Sequence, residues 1–144
     1  MKIRPFQLSD REAVVQLWKE CGLVVPHNDP NRDIDRKLKV NPEWFLVGEV
    51  EGEVIASCMV GYEGHRGWIN YLAIKGDRQH QGFGKQLMTY AEELLLEQGC
   101  PKINLQIRST NQKVIDFYTA LGYVQEPIIS MGKRLIPDLP PADE

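Results

Sequence analysis

Gln79-His80-Gln81-Gly82-Phe83-Gly84 is the stretch of this chain whose residue types and spacing suit a charged ligand. It follows an apolar run, Trp68 to Ile74, and opens the longest helical pattern in the sequence, Gly82 to Gln98. The first turn of a helix carries backbone N–H groups without intrahelical partners and the positive end of the macrodipole, so phosphate is its natural ligand. Gly82 and Gly84 lack a Cβ, which lets the backbone approach such a group closely, and a pyrophosphate suits that geometry. Taken alone, the hexapeptide fits a plain packing turn better, because paired glycines recur where strands enter helices. Gln79 and His80 stand where a dinucleotide fingerprint needs early glycines, and the Gly-Lys-Ser or Gly-Lys-Thr of a P-loop is missing. Ordinary nucleotide folds are therefore disfavoured.

The 144 residues, 42% hydrophobic and 26% charged, suit one domain with a sizeable core. A net charge of −3 argues against nucleic acid as a partner, since phosphate backbones call for a basic face. Cys21, Cys58 and Cys100 are widely spaced and show neither Cys-x-x-Cys nor a Cys/His zinc spacing, so reduced thiols and no metal are expected. The chain opens on Lys2-Ile3-Arg4-Pro5-Phe6, so no signal peptide is expected, and no apolar run approaches membrane-spanning length. A cytoplasmic location, where free cysteines are normal, is the expectation.

The elements that must position the loop read as follows. Lys2 to Phe6 is a short first strand, with Pro5 suggesting an edge. Ser9 and Glu12 have capping-box spacing ahead of the helical stripe Val14, Leu17, Trp18 and Cys21, which Gly22 ends. Asp29-Pro30 has the form of an N-cap followed by proline, predicting a short second helix to about Val40. Trp44 to Val50 and Val54 to Tyr62, joined by the hairpin signal Glu51-Gly52, are apolar on both faces and should be central strands, and Trp68 to Ile74 completes an antiparallel meander. After the long helix, stopped by Gly99, Lys102 to Arg108 is a strand that one crossover helix allows to lie parallel to Trp68–Ile74. Asn111 can cap a last helix with the apolar face Val114, Phe117, Tyr118 and Leu121, and Tyr123 to Gln125 with Ile128 to Leu135 should complete the sheet. Residues 1–136 are expected to form the domain, and 137–144, with three prolines and three acids, a disordered tail.

Two blocks in this order resemble a known family. Gln-x-x-Gly-x-Gly after Tyr71-Leu72-Ala73-Ile74 is similar to the acyl-CoA signature of the GNAT family of N-acetyltransferases. Leu105 to Asn111, Val114-Ile115-Asp116-Phe117-Tyr118 and Leu121-Gly122-Tyr123 resemble that family's C-terminal strand, helix and strand, and the resemblance runs from about Lys2 to Leu135. It implies an α/β (α+β) fold: a mixed, mostly antiparallel sheet of six to seven strands, about four helices, and a splayed parallel pair at the acyl-CoA site. It implies acetyl-CoA as acyl donor, with direct transfer to a primary amine of a small molecule, peptide or protein. Relatives often pair through sheet edges or C-terminal strands, so a homodimer is compatible with it.

Carried over by position, the backbone of Leu72, Ala73 and Ile74 would hold the pantetheine arm, with the Leu72 N–H as oxyanion donor. Gln79, His80, Gln81, Gly82, Phe83, Gly84 and Lys85 would ring the pyrophosphate, with the Lys85 charge adding attraction. Asn111 matches a position touching the cofactor, though capping its helix is an equal role. Periodicity makes Tyr118 a core aromatic. The resemblance instead makes it the acid that protonates the departing CoA thiolate, a task a protonated phenol can perform. His27, Asn28, Asp29 and Arg32 would contact the acceptor, or simply begin a solvated helix. Gln106 stands where some relatives carry Glu and cannot accept a proton, which leaves Glu63, His65 or a water relay as the base. A non-catalytic acyl-CoA sensor built on the same fold is the alternative to an enzyme.

Overall fold

The computed structural model describes residues 1–138. Among them, five strands form one sheet in the order β1-β2-β3-β4-β5: β1 Lys2–Pro5, β2 Phe45–Val50, β3 Glu53–Tyr62, β4 Gly67–Ile74 and β5 Ile103–Asn104. The four α-helices described are α1 Arg11–Glu20, α2 Pro30–Lys37, α3 Phe83–Glu97 and α4 Gln112–Ala120. Strands β1 to β4 are antiparallel neighbours, and β5 joins β4 in parallel after the α3 crossover.

Local chemistry explains most of this. Glu51 and Gly52 both have left-handed φ, 51° and 79°, which is the two-residue turn whose twist matches its flanking strands. The Asp29 carboxylate accepts from the Asn31 N–H at 2.9 Å with Pro30 at the first helical position, so α2 starts as the sequence indicates. Alternation along β2 sends Leu46 into the core on one side of the sheet, and Phe45 and Val47 into the core on the other. The first core includes Leu87, Met88, Ala91 and Leu95 of α3, and Tyr118 of α4. The second includes Val14, Leu17 and Trp18 of α1 with Ile34 of α2. Trp18 is fully buried, and its indole N–H donates to Ser57 Oγ at 2.8 Å while Ser57 donates to the Tyr71 carbonyl at 2.9 Å. The polar atoms of this core are therefore satisfied.

The approach to α1 differs from the expected Ser9–Glu12 box. A 3₁₀ turn, Leu8–Asp10, precedes the helix, and the Asp10 carboxylate accepts the Gln7 N–H at 2.8 Å and the Arg4 guanidinium at 2.8 and 3.0 Å. The Arg4 hydrogen bonds, aided by the Gln7 amide, hold the Asp10 carboxyl below its usual range against the opposing effect of burial. A depressed folded pKa stabilises the protein above the unfolded value near 4, and that contribution disappears as pH falls through the folded value. Asp10→Asn should therefore cost about 1–3 kcal/mol at pH 7. Thermal melts should show Tm lower by several degrees at pH 7, with the gap to wild type narrowing near pH 3; equal melting at pH 7 would contradict this role.

The sheet and its last strand also depart from expectation. The sheet has five strands rather than six to seven, because residues 123–136 run without a ladder. Pro127 lacks an N–H, Ile128 and Ile129 are adjacent rather than alternating, and Val124, Ile128, Ile129, Met131, Leu135 and Ile136 are all exposed. Side chains tether this segment instead: Glu126 accepts from Lys102 and from Asn104, and Gln106 donates to Ser130. The strand expected over Lys102 to Arg108 shrinks to Ile103–Asn104. Of the expected tail, Pro137 and Asp138 lie against α2, whereas residues 139–144 fall outside the described residues.

Candidate active site

The short β5 is what opens the sheet. Its ladder with β4 consists of Gly67 opposite Ile103 and Trp68 opposite Asn104, so from Ile69 onward β4 has no strand beside it on that edge among the described residues. The other edge of β4 is also irregular. Ser57 pairs with Ala73 and Met59 with Asn70, which leaves Tyr71 and Leu72 together opposite Cys58. Tyr71 accommodates the extra residue with φ 53°, a bulge that re-aims the backbone where the resemblance puts the oxyanion donor. Leu72 is half-buried against the α3 core, and Ala73 is buried on the opposite side. The Ile74 carbonyl is already engaged, accepting from Gln79 Nε2 at 3.0 Å and from Cys21 Sγ at 3.4 Å.

Gln79 thus ties the loop to the end of β4, and Gln81 Nε2 reaches the Asp77 carbonyl at 3.3 Å. His80 and Gly82 both take left-handed φ, 64° and 83°, and the turn delivers Phe83 as the first helical residue with no side-chain cap on α3. The first intrahelical bond runs from the Gln86 N–H to the Gly82 carbonyl. The amides of Phe83, Gly84 and Lys85 therefore have no helical partner and present the positive end of a fifteen-residue helix. Lys85 is exposed and makes no ion pair among the described residues. Gly84 serves packing: a Cβ there would meet the Phe117 ring at 2.9 and 3.0 Å, whereas one on Gly82 would meet open space.

A groove of about 460 Å³ beside the loop is lined by Gly82, Lys85, Gln86, Thr89 and Tyr90, with Ile3 and Glu93. A larger hollow of about 530 Å³, between α1 and the β2–β3 turn, is lined by Asp10, Glu20, Glu51 and Glu53 with Lys75. Its prevailing negative charge disfavours phosphate, so the loop is the better anion site.

Tyr118 is buried, with its ring edge-on to Phe117 and Tyr123 at centroid distances of 5.0 and 5.4 Å. Burial, with the nearby Cys58 thiol, raises its pKa well above the ordinary tyrosine value. Its hydroxyl has no protein partner among the described residues, yet no buried side-chain oxygen there lacks one, so this hydroxyl is not sealed from the surface. Tyr123 instead donates to Glu92 at 2.7 Å. Asn111 caps α4, accepting the Val114 N–H at 3.3 Å. Cys58 is no nucleophile, because burial pushes its thiol up to about 12, and burial raises Cys21 as well.

The candidate bases fare unequally. Glu63 is the anchor of the β3–β4 turn, accepting the Arg66 N–H at 2.6 Å, the His65 N–H at 2.8 Å and the Trp68 indole at 2.9 Å. Those donors, the Arg66 amide first, hold its carboxyl below the usual range and make it a poor base. Five residue steps along β4, up to about 16 Å, separate Gly67 beside that turn from Leu72. His65 sits exposed in the same turn.

On the α2 side, Asp29 caps the helix and pairs with Arg32 at 3.7 Å, His27 is exposed, and Asn28 accepts from Arg134. The arrangement that sequence periodicity does not reveal is Tyr71. Its ring stacks on Trp18 at 3.8 Å and its hydroxyl donates to Asp33 Oδ2 at 2.5 Å, which places a carboxylate over the bulge. The one sequence signal for it was a tyrosine at the head of Tyr71-Leu72-Ala73-Ile74.

A meander, an open β4–β5 edge and an uncapped helix N-terminus after β4 define an acyltransferase architecture, and the chain belongs to the GNAT family of acetyltransferases, whose family model matches residues 11–123. An acetyltransferase of Yersinia enterocolitica is 47% identical over 138 residues, covering 96% of this chain and 98% of that protein. One from Sodalis glossinidius is 47% identical over 139 residues, with coverage of 96% and 98%. Among solved structures, Ard1 from Thermoplasma volcanium superposes with a TM-score of 0.77 at 25% identity, covering 85% of this chain and 82% of that one. An aminoglycoside acetyltransferase from an uncultured soil sample, in complex with sisomicin, shares the fold at TM-score 0.74 and 19% identity, covering 94% and 96%. The family match and the Yersinia and Sodalis relatives make the chain an acyltransferase.

Proposed function

We propose that the chain transfers an acetyl group from acetyl-CoA directly to a primary amine of a small molecule, peptide or protein. The observation that carries this reading is the open edge of β4 leading into the unpartnered amides at the start of α3. In this reading the diphosphate rests on the backbone from Gln79 to Lys85, and Asn111 touches the same cofactor. The thioester lies along Leu72, Ala73 and Ile74, where the amine nitrogen bonds to the carbonyl carbon while the Leu72 N–H receives the developing oxyanion. The C–S bond then breaks, the thiolate takes the Tyr118 proton, and the new amide loses its extra proton to water. Tyr118 is reprotonated from solvent. Water carries the base role more readily than Glu63, whose carboxylate is committed to three donors.

The reading needs no metal and no nucleic acid. A homodimer would cover the exposed apolar residues between Ile128 and Ile136. Three free cysteines suit the cytoplasm, the location we assign. Thiol release from acetyl-CoA, followed against a panel of diamines, lysine peptides and peptides with free N-termini, tests the proposal. Release that depends on one class of amine is the expected result. Tight acetyl-CoA binding that no amine converts to thiol release would instead make the chain a sensor.

A further inference from the structure

Residues near the C-terminus return to α2. The Asp138 carboxylate is fully buried although it sits among charges: Arg36 donates to it from both terminal guanidinium nitrogens, at 3.0 and 2.6 Å, and the Asp29 N–H at 3.2 Å. Arg32 and Arg134 flank it at 3.8 and 3.9 Å. Arg134 also bonds Asn28 and, at 3.2 Å, the Ile136 carbonyl, while Arg32 reaches the Pro137 carbonyl at 3.5 Å. A buried carboxylate is tolerable only with such partners. The Arg36 hydrogen bonds, with the Asp29 amide, hold it at about 2, so it is charged at every working pH.

The same arginine faces the bulge. Arg36 Nη1 lies 3.2 Å from Asp33 Oδ1, and Asp33 Oδ2 accepts the Tyr71 hydroxyl at 2.5 Å. A line of contacts therefore runs from Asp138 through Arg36 and Asp33 to the bulged residue of β4. We propose that residues 134–138 form a strap latched onto α2 by Asp138, and that the latch keeps Arg36 shared between Asp138 and Asp33, leaving the wall above Tyr71 fit to receive a cationic amine. The acceptor half of this proposal rests on the acetyltransferase reading; the latch does not.

With Asp138 charged, Arg32, Arg36 and Arg134 are matched by Asp29, Asp33 and Asp138. Without that charge, both prongs of Arg36 are free to close on Asp33 in the bidentate geometry guanidinium favours, competing with Tyr71 for the carboxylate. An ammonium nearing the wall then meets an excess of positive charge. The consequence falls on acceptor KM and spares acetyl-CoA, because none of the latch residues bonds to residues 79–85 among those described.

Full-length Asp138→Asn and Asp138→Glu are the variants that test it. Trypsin cleavage after Lys133 and Arg134, followed by mass spectrometry, reads the latch; initial rates with a diamine and with an aromatic amine uncharged at pH 7 read the wall; calorimetry with acetyl-CoA reads the donor site. For Asp138→Asn we expect cleavage at least ten-fold faster, KM for the diamine raised at least five-fold, and kcat, the neutral amine's KM and the acetyl-CoA Kd held. Asp138→Glu should recover most of both losses. Cleavage at the wild-type rate would overturn the latch, and equal KM changes for the two amines would overturn the electrostatic role. A wild type that converts no amine sinks the acetyltransferase reading with the acceptor half, while the trypsin comparison still decides the latch.

Discussion

Tyr118→Phe should lower kcat by about 10²-fold or more while acetyl-CoA binds as in wild type, the size of effect expected when a positioned acid is lost. Only the hydroxyl is removed, so the edge-on packing with Phe117 and Tyr123 survives and the variant should melt near wild type. The pH dependence adds a second check. Burial raises the Tyr118 pKa, so the phenol stays protonated as pH climbs past the point near 10 where an ordinary tyrosine ionises. The wild-type rate should therefore show no alkaline decline from this group between pH 8 and about 10. Pre-steady-state thiol release measures both. A phenylalanine variant with undiminished kcat would remove Tyr118 from the chemistry and leave it a core aromatic.

The second large effect is expected at Gly84. Valine there drives a Cβ into the Phe117 ring, at 2.9 and 3.0 Å before any relaxation, so α3 and α4 must part. Overpacking of this kind costs about 1–3 kcal/mol, and Tm should fall by several degrees. Because the displaced turn is the one whose amides we propose to face the diphosphate, the Kd for acetyl-CoA should rise about ten-fold or more as that turn's hydrogen bonds, worth about 1.5–3 kcal/mol each to a charged group, are misaligned. Gly82→Ala separates packing from conformation, since its Cβ has open space and only the left-handed φ of 83° resists it. Thermal melts and calorimetry on both variants check this, and a Gly84→Val protein with wild-type Tm and Kd would contradict it.

Much of the frame was legible in the sequence because it is written locally. Glu51-Gly52 specifies its hairpin and Asp29-Pro30 its helix start through the conformations those residues permit. The crossover from β4 through α3 to a parallel strand follows from one helix lying between two apolar runs. What the sequence hid depends on distant partners. Ile128 to Leu135 has strand composition without strand alternation, and its tethers to Asn104 and Gln106 come from side chains that no local rule predicts. Asp138 stands in a stretch of prolines and acids that reads as solvated, yet the arginines of α2, about a hundred residues earlier, bury it. The role of Gly84 was likewise obscure, because Phe117, the ring it admits, comes from another helix. Gln106 left the base open, and Glu63 is spent on its own turn.

Calorimetric titration of the wild-type protein with acetyl-CoA, and in parallel with S-acetyl-pantetheine, which carries the same thioester without phosphate, tests the central claim most directly. If the amides opening α3 grip the diphosphate, acetyl-CoA binds with Kd somewhere in the range of about 1 μM to 1 mM, and the phosphate-free thioester binds at least a hundred-fold more weakly. Equal affinity for the two thioesters, or no heat from millimolar acetyl-CoA, would contradict it.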